Sequence, residues 1–211
     1  MCDATGASFN FEYVIDTTTN TLNATVTAPS TGDNTWLAIG FSQGTVDPMA
    51  GGSSTSTFSD MVIGSYDSNA ATNNCVIRDY YTTTKSNPTL DSSQDVYLQP
   101  GQPCTFDATA QSLTLSFYRL LDTGDATEDK VIEVDTEFTL LWAYNDYVDS
   151  ISTDGSSLSK HDTTARGFLP DFAFSSGTTG STCGTCAPQS TSVYDERLAQ
   201  CISNGWPAVT D

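Results

Sequence analysis

Apolar residues in this chain recur at every second position, and helical periodicity is nearly absent before the C-terminus. Phe9, Phe11, Tyr13 and Ile15 alternate with polar neighbours as a half-buried strand requires, and the run from Asp16 to Asn20 breaks the pattern as a turn. Leu22, Ala24 and Val26 then alternate against Asn23, Thr25 and Thr27, completing a hairpin. The stretch from Trp36 to Phe41 is apolar on both faces, as expected of a strand covered on each side in the middle of a sandwich. From Glu137 the chain sets Phe138, Leu140, Trp142 and Tyr144 on one face and Thr139, Leu141 and Ala143 on the other. A polar loop follows, and a second strand-like run spans Phe168 to Phe174. With further strands expected at 60–64, 75–81, 95–98 and 112–118, about ten strands with turn chemistry between them predict an all-β fold. It is an immunoglobulin-like antiparallel β-sandwich with Greek-key connections.

Composition sets the limits of function. Seven Lys and Arg stand against 26 Asp and Glu, a formal net charge of −19. Seven cations cannot assemble the basic face that phosphate binding needs, so nucleic acid is excluded as an expected partner. No apolar run approaches the roughly 18 residues of a membrane helix, so no membrane span is expected. Charged residues are only 16% of the chain, and Thr, Ser, Asn and Gly supply the remaining polar surface, the balance of a secreted or cell-surface β protein. Six cysteines (Cys2, Cys75, Cys104, Cys183, Cys186 and Cys201) permit three disulfides in 15 connectivities. A zinc site at Cys183 and Cys186 lacks a second pair of ligands to close it, which favours disulfides. Met1, Cys2 and Asp3 do not begin a signal peptide, so the expectation is a removed leader or an excised domain. Asn23 to Thr25 forms a single N-x-T acceptor in a strand-like segment.

The Gly, Ser and Thr-rich stretch 42–59 is too long to be a mere connection, and long loops in compact domains are usually functional. Residues 1–175 are expected to form the sandwich, and 176–211 a linker and tail. That tail carries one short amphipathic run, Tyr194 to Ile202, and is too small for its own core, so disulfides must staple it. No G-x-S-x-G, phosphate loop or ordered Ser/His/Asp set suggests a hydrolase.

The one histidine, His161, cannot belong to a histidine cluster. If it ligates a metal, its partner must be of another type, and a methionine thioether is the candidate. Asp60, Asp91 and Asp95, with Asp79, fall at the ends of expected strands and offer hard oxygen ligands suited to calcium.

Four segments together resemble the DOMON domain. They are Trp36 to Ser42 with Ser59 to Gly64; Arg78 to Tyr81 with Leu90 to Val96; Arg119 to Asp125; and Leu141 to Tyr144 with His161, Arg166 and Gly167. This β-sandwich occurs at the N-terminus of dopamine β-monooxygenase-like enzymes and as the cytochrome domain of fungal cellobiose dehydrogenase, and the resemblance covers about residues 8–174. In the cytochrome branch a b-type haem is held by a Met from the loop before the D-x-V strand and a His from the loop before the last strand. Carried over, the resemblance implies His161 as the imidazole ligand. The family's Met lies three or four residues before the strand Asp, where this chain has Ser56 and Thr57. Met49, in a Pro-Met-Ala-Gly sequence, is then preferred as the thioether, ahead of Met61, which lies on the strand itself. An apolar slot for the macrocycle is expected from Trp36, Phe41, Phe58, Trp142, Tyr144, Phe168 and Phe172.

The expected function is an extracellular haem-binding DOMON domain that passes single electrons to or from a redox partner domain or protein. The alternative is a redox-silent module accessory to a copper monooxygenase, recognising carbohydrate, a small aromatic ligand or another protein, with calcium as a stabilising ion.

Overall fold

A computed structural model describes residues 9–31, 35–43, 58–67, 74–84, 86–101, 104–145, 158–161, 165–175 and 179–181. Met49, the cysteines other than Cys75 and Cys104, and the amphipathic run at Tyr194 lie outside these residues. Among the described residues no helix is long and apolar enough to cross a membrane.

Among the described residues twelve strands form two six-stranded antiparallel sheets. The first sheet contains β1 (Asn10–Asp16), β2 (Thr21–Pro29), β7 (Val96–Leu98), β8 (Cys104–Asp107), β9 (Ser112–Leu120) and β12 (Thr179–Ser181). Its order is β12-β1-β2-β9-β7, with β8 sharing the β9 edge. The second contains β3 (Thr35–Ser42), β4 (Ser59–Tyr66), β5 (Cys75–Thr82), β6 (Thr89–Leu90), β10 (Glu137–Asn145) and β11 (Arg166–Ala173), in the order β11-β10-β3-β4-β5-β6. The sandwich expected from the alternating pattern is thus present. Thr179–Ser181, in the segment read as linker, adds a strand beside β1.

Alternation explains which residues face inward. On β1 and β2, Phe11, Tyr13, Ile15, Leu22, Ala24 and Val26 are buried, while Glu12, Val14 and the Thr residues between them face outward. These side chains meet Leu37, Ile39, Phe41, Leu140, Trp142 and Phe172 of the second sheet in one core. Burying each such side chain stabilises the fold by roughly 1.5–3 kcal/mol. Cys75 on β5 and Cys104 on β8 form a disulfide that ties the two sheets together.

Candidate functional site

Strand β3 is buried at all eight positions, so its outward side chains are covered as completely as its inward ones. The outward set defines a second apolar cluster, separate from the core: Trp36, Ala38, Met61, Ile63, Tyr80 and Leu141, with Leu158 and Phe168 packed against it. Strand register shows how it is laid out. One row crosses the whole sheet as Phe168, Leu141, Gly40, Met61, Tyr80 and Leu90. The next row reads Arg166, Ala143, Ala38, Ile63 and Arg78. The central strands therefore present Gly40, Ala38 and Ala143 between larger residues, a low floor with Met61, Leu141 and Trp36 around it. The floor is tight at Gly40, where an added Cβ would lie 3.2 Å from both Leu141 Cβ and Met61 Cγ.

His161 stands at the rim of this face. Its half-buried ring meets the Trp36 indole edge-on, with centroids 6.3 Å apart. The short segment that carries it is held by hydrogen bonds to the sheet. Trp36 Nε1 donates to the carbonyl of Ser159 at 3.1 Å, and Asn145 Nδ2 donates to the carbonyl of Lys160 at 2.8 Å. Arg78, Lys160 and Arg166, three of the seven cations, lie on or beside the same face. A covered apolar floor, an imidazole at its rim and cations at its ends have the chemistry that a planar, mostly apolar molecule with anionic substituents needs, once the floor is uncovered.

The aromatic residues expected to line one slot part across the sheet. Trp36 and Phe168 are on the outer face, with Met61. Phe41, Trp142, Tyr144 and Phe172 belong to the core between the sheets and point the other way. Trp142 stacks on Phe9 with centroids 5.2 Å apart and covers Gly167, where a Cβ would meet its ring at 2.6 Å. Phe41 lies under the guanidinium of Arg119 at 5.8 Å, and Phe58 lies under the ammonium of Lys130 at 3.7 Å. Those two rings serve cation–π contacts inside the sandwich.

On the inner side of the same sheet the acids gather around Arg119. Arg119 is fully buried, and its Nη1 donates to Asp60 Oδ2 at 2.5 Å. Asp60 Oδ2 also accepts from the backbone N–H of Lys130 at 2.9 Å, while Arg119 Nη2 stands 3.7 Å from Asp129. Asp79 is fully buried one strand away, opposite Val62. Burial, reinforced by the Asp60 charge, pushes its carboxyl up to about 9. Burial raises Asp91 to about 7 and Asp129 to about 6. Of the acids nominated from sequence, Asp60 gathers with Asp79 and Asp129, and Asp91 with Asp125 and Glu128. Asp95 is half-buried outside both groups.

Residues 6–145 match the DOMON domain family, about two thirds of the chain. The chain belongs to the DOMON family. Its fold is similar to that of the cytochrome b domain of pyranose dehydrogenase from Coprinopsis cinerea, with a TM-score of 0.52 and 13% identity over 79% of this chain and 77% of that one. No curated protein matches the sequence.

In this DOMON domain three of the four segments that carry the family resemblance meet at the acidic centre. Strand β4 supplies Asp60, and β5 supplies Asp79. Gln94 brackets Asp79, accepting from its N–H and donating to its carbonyl, both at 3.0 Å. The turn after β9 is closed by Asp122 and Asp125, with Gly124 at φ 85° where only glycine is unstrained, and it returns Asp129 and Lys130 to Asp60. Arg119 and Asp129 were not among the residues nominated as candidates. A lone Arg in an otherwise apolar strand pattern, Leu113 to Leu121, was the available indication.

Proposed function

We propose that this DOMON domain binds b-type haem on the outer face of the second sheet and serves in single-electron transfer outside the cell. The observation that carries the reading is His161 held beside Trp36 at the rim of an apolar floor whose central positions are Gly40, Ala38 and Ala143. Trp36, Met61, Leu141 and Phe168 exclude water from the macrocycle edge, and Arg78 and Arg166 answer carboxylate substituents. His161 supplies imidazole, and Met49, or Met61 from the floor itself, supplies thioether. A haem held by imidazole and thioether would supply one-electron chemistry at a raised potential. The cytochrome b domain of similar fold supports the same assignment, and a redox partner domain or protein follows from it.

Titration of the purified chain with haemin, followed in the Soret region, tests this. Saturation is expected at one haemin per chain, and the band should sharpen on dithionite reduction. His161→Ala should abolish the sharpening, and of Met49→Ala and Met61→Ala one should do likewise. A protein that takes up no haemin would overturn the reading and leave the redox-silent binding module on the same face, for carbohydrate or a small aromatic ligand.

A further inference from the structure

We infer that Asp60, Asp79 and Asp129 form a calcium site buried between the two sheets. One carboxylate oxygen from each lies within 4.8 Å of the other two. Each pair is therefore close enough to share one ion at a Ca–O distance of roughly 2.3–2.6 Å, and a small inward movement of the carboxylates brings all three onto it. Arg119 and the Lys130 N–H hold Asp60 by Oδ2 and leave Oδ1 without a hydrogen bond.

Asp79 points to a ligand most directly. It is 0% exposed, and neither of its carboxylate oxygens accepts a hydrogen bond. Its backbone, by contrast, is fixed from both sides by Gln94 and by the N–H of Asp91. Asp129 is 3% exposed and lies beside the same centre, with Arg119 Nη2 3.7 Å from its Oδ2. An orphaned buried carboxylate costs several kcal/mol unless a proton or a cation answers it.

Charge bookkeeping favours a dication. Asp60, Asp79 and Asp129 bring three negative charges to the site, and Arg119, which faces Asp60 and Asp129, brings one positive charge, so the site itself carries an excess of two. All-oxygen ligation disfavours zinc, and full burial disfavours magnesium, which keeps several of its waters. The ligands lie on the inner faces of β4 and β5, across the sheet from Met61 and Tyr80, and the inference does not rest on haem.

The test is thermal unfolding of the full chain stripped with EDTA, then supplied with CaCl2 or MgCl2 at constant ionic strength. Calcium should raise the Tm saturably, by roughly 5–10 °C at a hundredfold excess over Kd. Magnesium should do much less, and the isosteric Asp79→Asn should remove the response. Asp171→Asn, an exposed control, should keep it. Should Asp79→Asn fail to fold, Asp129→Asn takes its place, and calorimetric titration of the stripped wild type must show one calcium per chain. A wild-type Tm indifferent to calcium, an equal response to magnesium, or a response that survives the ligand substitutions would overturn the site.

Discussion

Arg119 is the residue on which the interior most depends. Among the described residues it is the largest of the fully buried side chains, and its guanidinium faces Asp60, Asp129 and the ring of Phe41. Replacing it with Ala leaves buried carboxylates without their cation, and breaking a pair of this kind costs about 3–5 kcal/mol. Urea unfolding of Arg119→Ala should therefore show a loss of that size, and a loss below 1 kcal/mol would mean that the pair is not maintained in solution. Gly40 is the corresponding residue on the outer face. Gly40→Val crowds Met61 and Leu141, and overpacking of this kind costs about 1–3 kcal/mol. The haemin affinity of that variant should fall at least ~10-fold while its circular dichroism stays that of a sandwich. His161 was identifiable as a candidate because it is the only histidine, but its placement against Trp36 depends on Ser159 and Lys160 accepting from the sheet, and the bond from Trp36 to Ser159 is made across 123 residues of sequence.

Strands were legible because a half-buried strand must alternate. The patterns at Phe9 to Ile15, Leu22 to Val26 and Phe138 to Tyr144 became β1, β2 and β10 with the expected faces inward. The same parity could have divided the aromatic candidates: Trp36 and Phe41 differ by an odd number of positions, so one strand cannot turn both to one face. The acidic centre was harder to foresee, since it joins β4, β5, β9 and the turn before Lys130, and only their pairing reveals that Asp129 faces Asp60. That centre sets the pH response of these elements. Asp79, Asp91 and Asp129 have folded values of about 9, 7 and 6 against 3.8 for the free group, so each is protonated more readily in the folded protein than in the unfolded one. Their contribution is most favourable below about pH 4 and is lost progressively as pH rises through 6, 7 and 9. In EDTA the Tm should fall between pH 5 and pH 9, and Asp79→Asn should flatten the slope. A Tm that rises over that interval would contradict the buried placement.

At the scale of the whole molecule, the Cys75–Cys104 bridge joins the sheets through strands 29 residues apart in sequence. Cross-linking a loop of that length stabilises by about 3–4 kcal/mol in the chain-entropy account. Replacing both cysteines with Ser should lower stability by that amount while leaving haemin uptake intact, because neither cysteine lies on the outer floor. The charge of −19 predicts faster encounter with cationic redox partners, and exchange rates that fall with added salt. Composition and alternation were enough to anticipate the sandwich, but not which inward side chains meet across it at the acidic centre, a pairing property invisible to any single segment. The redox group proposed for the outer side is tested most directly by electron paramagnetic resonance of the ferric, haemin-loaded chain. A low-spin signal in the wild type that turns high-spin in His161→Ala is predicted, while a high-spin wild type, or one that His161→Ala leaves unchanged, would contradict it.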